Sequence, residues 1–150
     1  MGPKISLVYE NVADQSVTNS IVPVPINGLI YPFPANQRVK LICVIAFTLG
    51  AVGGYRFRMD LPVGVLYQLK IYEFVDASPY PGAQFSQVQT TTTDFTDPGG
   101  GVAGNAYIRL NATIINGPNA GDLQLDVAQN NANAVPITVL RGSTMNIDVF

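Results

Sequence analysis

Apolar and polar residues alternate with a period of two along most of this chain. Nowhere do apolar residues hold the three-to-four spacing of a helix for ten residues. In YRFRMDL, Tyr55, Phe57, Met59 and Leu61 share one face, and Arg56, Arg58 and Asp60 the other. In AYIRLNATI, Ile108, Leu110, Ala112 and Ile114 oppose Tyr107, Arg109, Asn111 and Thr113. DLQLDV sets Leu123, Leu125 and Val127 against Asp122, Gln124 and Asp126. STMNIDVF sets Met145, Ile147 and Val149 against Thr144, Asn146 and Asp148. QRVKLICVIAFTL and LYQLKIYEFV add two longer strands, and residues 20–26 and 87–93 two weaker ones. Turn signals separate them at Gly50 to Gly54, Pro62–Val63–Gly64, Pro79 to Gly82, Pro98 to Gly101 and Asn116–Gly117–Pro118. About eight half-buried strands at that spacing predict an antiparallel sandwich or barrel.

Two strands break the alternation. Every residue from Leu41 to Phe47 is apolar, so one face can meet the domain's own core while the other needs a crossing segment or a neighbouring chain. Tyr72 and Phe74 fall on the face opposite Tyr67, Leu69 and Ile71. A subunit interface is the preferred cover, with Ile42, Val44, Tyr72 and Phe74 as its residues. In IVPVPINGLIYPFP, Pro23 and Pro25 remove backbone donors from one side only, which is how an edge strand pairs on one side and resists pairing on the other. Residues 1–19 form no clear unit of the domain and read as an N-terminal arm ahead of a domain at 20–150. In that arm Ile5, Leu7 and Tyr9 make one wholly apolar face, suited to adding as a strand to a partner.

Composition narrows the function. Of 150 residues 47% are hydrophobic and only 12% charged, about half the usual share of charge, which favours an oligomer or part of an assembly. The net charge of −2 with scattered arginines leaves no nucleic-acid footprint. The single cysteine, Cys43, excludes a scaffold of intramolecular disulfides and fits assembly in a reducing cytoplasm. The N-terminus lacks the apolar core of a signal peptide, and the seven-residue run Leu41–Phe47 is too short to span a bilayer.

Chemistry has few places to sit. The chain has no histidine, so the commonest general base and metal ligand is absent. Cys43, mid-strand among Leu41, Ile45 and Phe47, reads as a buried structural thiol. Asp122 and Asp126, four residues apart on one strand, stand roughly 13 Å apart, too far for glycosidic acid–base work, and read as a solvated face. Asp94 and Asp97 lack the dense spacing of a calcium loop, and the glycines at 99–101 lack the Lys-Ser/Thr of a phosphate loop. No catalytic, cofactor or metal residue is therefore assigned. The amide-rich stretch Gln129, Asn130, Asn131 and Asn133 is either a ligand site or a structural corner. The corner is preferred, because amides cap turns and tolerate burial when hydrogen-bonded.

The segment NATIINGPNAGDLQLDVAQNNANAVPITVLRGSTMNIDVF resembles the C-terminal half of a family of tailed-bacteriophage virion proteins. The matching positions are Asn116, Gly117, Ala120, Gly121, Ala128, Gln129, Asn130, Thr138, Val139, Leu140, Gly142 and Ser143. FPANQRVKLICVIAF and GGYRFRMDLP are similar more loosely, and 76–104 departs from the pattern. The resemblance implies a jelly roll of the tumour necrosis factor or C1q type, which forms trimers. It further implies a capsid decoration (cement) protein on the virion surface, assembled in the host cytoplasm and bound to the major capsid protein. The other role open to the family is a head-fibre or tail-fibre receptor-binding domain. Neither implies an enzyme, a cofactor, a membrane or a nucleic-acid partner.

Overall fold

Among the described residues, period-two alternation becomes twelve strands in two antiparallel sheets. The computed structural model describes residues 5–50, 54–75, 84–88, 93–96 and 104–150, and of residues 49, 67–75, 84–88 and 93–96 the backbone alone. The strands are β1 (Ile5–Glu10), β2 (Gln15–Val17), β3 (Val24–Phe33), β4 (Arg38–Leu49), β5 (Arg56–Asp60), β6 (Tyr67–Val75), β7 (Gln84–Val88), β8 (Thr93–Thr96), β9 (Gly104–Ile115), β10 (Gly121–Ala128), β11 (Ile137–Val139) and β12 (Thr144–Val149). An eight-stranded sheet runs β1-β12-β4-β9-β6-β7, with β11 joining β4 to β2; a four-stranded sheet runs β3-β10-β5-β8. The class is the expected all-β sandwich.

The core lies between the sheets. Leu41, Cys43, Phe47, Ile114, Met145 and Ile147 from the larger sheet, and Phe33, Phe57, Met59, Leu123 and Leu125 from the smaller, are at most 2% exposed. Each such large side chain contributes roughly 1.5–3 kcal/mol through its removal from water. Phe47 and Phe57 bridge the sheets edge to face, with ring centroids 5.0 Å apart.

The twelve strands of the described residues exceed the expected eight, and two of the additional ones correct the reading of residues 1–19. That segment is not a free arm. Over Ile5–Glu10 it pairs with β12 in continuous register, Ile5 opposite Val149 to Glu10 opposite Thr144, and over Gln15–Val17 it pairs with β11. Leu7 and Tyr9 turn inward beside Ile147 and Met145 and pack against the core, so no domain boundary falls at 19/20. The physical reason is local: β12 has an otherwise open edge, and the alternation in ISLVYE fits the face that edge presents. The weaker candidate at 20–26 begins later and runs on to Phe33. The one at 87–93 is divided between the ends of β7 and β8, and residues 89–92 lie outside the described residues.

The edge position of β3 follows the proline pattern. A side chain completes its protection. The Gln15 carboxamide donates from Nε2 to the Pro25 carbonyl (2.8 Å) and accepts the Asn27 N–H at Oε1 (2.8 Å), occupying the groups a further strand would use. Farther along, Gly28 has φ +80° and lies so near β1 that a Cβ there would sit 2.3 Å from the Glu10 carbonyl oxygen. Only glycine fits both demands.

Candidate interaction surface

The outer face of the eight-stranded sheet carries two of the four residues expected at a subunit contact, Ile42 and Val44. On β4, Val39, Leu41, Cys43, Ile45 and Phe47 point into the core, which leaves Ile42, Val44 and Ala46 half-buried on the other side. Register surrounds them with polar groups. Ile42 lies between Asn146 on β12 and Asn111 on β9, Val44 between Thr144 and Arg109, and Lys40 between Asp148 and Thr113. Beyond Asp148 comes Ser6, whose hydroxyl donates to Asp148 Oδ1 at 2.6 Å, and beyond Asn146 comes Val8, 67% exposed. Three half-buried apolar side chains of β4 thus stand among polar neighbours on this face.

Tyr72 and Phe74 do not join those three. They pair with Leu110 and Ile108 of β9, both core residues, whereas Ile71 pairs with Asn111 on the outer face. Directly paired residues project from the same sheet face. The positions of Tyr72 and Phe74 are thus on the side opposite Ile42 and Val44, and the four cannot line one surface. Their side chains lie outside the described residues.

At the edge of the same sheet, Ile5 is 53% exposed and Leu7 and Tyr9 are half-buried, although all three share the core-facing side of β1. The expected contact residues of the arm are therefore turned toward their own domain, and Val8 is the apolar residue of β1 turned fully outward. Period two placed Val8 opposite Leu7 and Tyr9; what the alternation could not show is which side the domain itself would cover.

The amide corner centres on Gln129, with Asn133 Oδ1 accepting the Val135 N–H at 2.9 Å beside it. Gln129 is 1% exposed and all its polar capacity is taken: Nε2 donates to the carbonyls of Asn133 (3.0 Å) and Val135 (2.7 Å), and Oε1 accepts the N–H groups of Ser20 (3.2 Å) and Asn133 (3.0 Å). Asn19, in the left-handed region at φ 52°, donates its N–H to the Asn133 carbonyl and closes the same corner from the N-terminal side. Asn130 and Asn131, expected to share this work, are exposed. The run of amides gave no sign of which one the corner would bury.

The other polar groups are structural as well. Asp126 does not lie on a solvated face. It is fully buried, accepts from Arg58 Nη2 at 2.6 Å and Nε at 3.0 Å on one oxygen, and accepts from Gln124 Nε2 at 3.0 Å on the other. Burial raises its pKa above the usual carboxylate range, against the pull of the Arg58 guanidinium and the Gln124 hydrogen bond. Burial likewise pushes the Cys43 thiol well up, so the reactive thiolate is suppressed. Asp94 stands opposite Arg58 in the β5–β8 register, and Asp97 lies outside the described residues. Among the described residues no three His, Cys, Asp or Glu side chains stand together as a metal site would need.

Several positions that carry the resemblance to phage virion proteins are fixtures of the frame. Asn116 is buried and donates from Nδ2 to the carbonyls of Phe33, Pro34 and Asn119. Ser143 Oγ donates to the Leu140 carbonyl at 2.8 Å and accepts the Ala46 N–H at 3.1 Å, and Gly142 sits at φ +84°.

No described protein family matches this chain, and no curated protein does. Among solved structures it is similar to a chain in the structure of infectious bursal disease virus Gt strain, with TM-score 0.25 and 11% identity over 98% of this chain and 42% of that one. It is also similar to a chain of the Gx strain, with TM-score 0.20 and 10% identity over 99% and 41%. This chain spans about two-fifths of the length of those chains, and at such TM-scores the likeness says nothing about role.

Proposed function

We propose that this chain is a non-enzymatic virion structural protein, a capsid decoration protein that forms a homotrimer and binds the lattice of the major capsid protein. One observation carries the assembly half of this reading. From Leu41 to Phe47 strand β4 is apolar on both faces, its inner face is consumed by the core, and Ile42, Val44 and Ala46 remain on a polar-rimmed outer face. Interfaces of permanent assemblies bury such surface like a core cut in two. The virion half rests on the resemblance of residues 111–150, whose Asn116, Gln129, Gly142 and Ser143 build the turns and corners of this fold. A non-catalytic role agrees with a histidine-free chain whose Cys43 and Asp126 are buried in structural settings.

The test is addition of the purified protein to expanded capsids that lack it, followed by co-sedimentation. Saturable binding that stabilises the capsids against heat supports the decoration role. A protein that trimerises yet leaves capsids unbound counts against the decoration role and favours the other role of the resembled family, the head of a fibre.

A further inference from the structure

Two Asn–Gly steps occur in the sequence, Asn27–Gly28 and Asn116–Gly117. Without a side chain on the glycine, its backbone nitrogen can reach the preceding carboxamide carbon, which makes this dipeptide unusually prone to lose ammonia. The fold treats the two steps differently. Asn116 is 0% exposed, its Nδ2 is held by the carbonyls of Phe33 (3.3 Å), Pro34 (2.9 Å) and Asn119 (2.9 Å), and its Oδ1 accepts the Gly117 N–H at 2.9 Å. The peptide around it is clamped. Asn116 N–H donates to the Gln37 carbonyl, the Gly117 carbonyl accepts from Asn36 N–H, and a Cβ on Gly117 would sit 2.0 Å from the Gly64 carbonyl oxygen. Nothing there can rotate into an attack geometry without breaking the corner.

Asn27 has none of this around its side chain. It is exposed, and it lies where the β3–β10 register skips from Ile30 opposite Gln124 to Pro25 opposite Asp126, so residues 26–29 stand outside the paired ladder. Among the described residues its backbone N–H is bound by Gln15, while no hydrogen bond holds its carboxamide.

We propose that Asn27 is the deamidation site of the folded protein, and that Asn116 is a latent one, which reacts only in the unfolded chain and then bars refolding. In each case the glycine nitrogen loses its proton to solvent base and bonds to the asparagine Cγ. The Cγ–Nδ2 bond breaks, ammonia leaves with a proton from solvent, and water opens the resulting succinimide to aspartate or isoaspartate. At position 27 the new carboxylate meets water. At position 116 an aspartate would set a carboxylate, with no hydrogen to donate, against the three carbonyl oxygens that Nδ2 now satisfies. An isoaspartate would lengthen the backbone of a turn that has no room for it.

The experiment ages the protein in mildly alkaline buffer, folded and in guanidinium, and follows each peptide by mass spectrometry for the one-dalton gain and for isoaspartate. In the folded protein the gain appears in the peptide holding Asn27 and is abolished by Asn27→Gln. In guanidinium both peptides react, and position 116 reacts at least about a hundredfold faster than when folded, because reaction through an opened state scales with that state's population. After dilution from denaturant, the soluble folded fraction carries intact Asn116 and the aggregated fraction carries the modified one. Equal rates at 116 in the two states overturn the proposal. So does a folded fraction rich in modified 116, or an Asn27 that stays intact in the folded protein.

Discussion

Gln129 and Asn130 are neighbours with opposite fates, one buried with four hydrogen bonds and the other exposed. Truncating a buried group that satisfies several backbone partners leaves those partners desolvated and unpaired. Gln129→Ala is accordingly expected to lower stability by about 1–3 kcal/mol, and Asn130→Ala to stay within about 0.5 kcal/mol of the wild type, read from denaturant unfolding of each. Asp126 makes a second residue-scale prediction. Its folded pKa is raised, so between the ordinary carboxylate pKa and the folded value the native state binds the proton that the unfolded chain has released. The cost of the buried charge is fully present above the folded pKa and fades as pH falls through it. On acidification from neutral pH the wild type should therefore gain stability relative to Asp126→Asn. Parallel melts that keep a constant difference across that window would show that Asp126 is not the group responsible.

At the scale of the element, β1 is the instructive case. ISLVYE has the alternation of a strand, and in isolation such a segment is suited to pairing with any open edge. The edge it takes belongs to β12 of the same chain, and Leu7 thereby packs on the core while Val8 faces outward. Leu7→Ala is expected to cost about 1–2 kcal/mol, less than a fully buried leucine because Leu7 is only half-buried. Val8→Ala should change stability by less than about 0.5 kcal/mol. Thermal melts of the two variants decide it: equal losses would mean that β1 is not anchored by its inward face. The contrast with β3 is chemical, since that edge carries Pro25 and the Gln15 clamp, whereas β1 carries no proline between Ile5 and Glu10.

For the whole molecule the question is what covers the outer face of the larger sheet. If Ile42 and Val44 meet their counterparts in a trimer, Ile42→Glu places an uncompensated charge in that contact and should give a monomer by light scattering. Because Ile42 is off the core, the monomer should keep its β circular dichroism and its fold. A variant that remains trimeric moves the interface elsewhere on the sandwich, with the exposed β1 edge and its Val8 as the next surface to alter. In the wild type, a stable monomer at micromolar concentration would end the trimer reading.

The strand pattern, the all-β class, the edge position of β3 and the burial of Cys43 were legible in the residues, because each depends on local period, backbone donors or apolar neighbours. Alternation states which residues share a face, and for Phe57, Met59, Leu125 and Ile147 that was enough to name the core. It does not state which strand pairs with which. Only tertiary pairing decided that residues 5–10 complete a sheet rather than trail as an arm, that Tyr72 aligns with the core-facing Leu110, and that Asp126 meets Arg58 instead of water. The corner shows the same limit: Gln129, Asn130, Asn131 and Asn133 all carry a carboxamide, and local sequence does not say which of them is buried. Ser20, from over a hundred residues away, meets Gln129, whose carboxamide satisfies both chain segments at once.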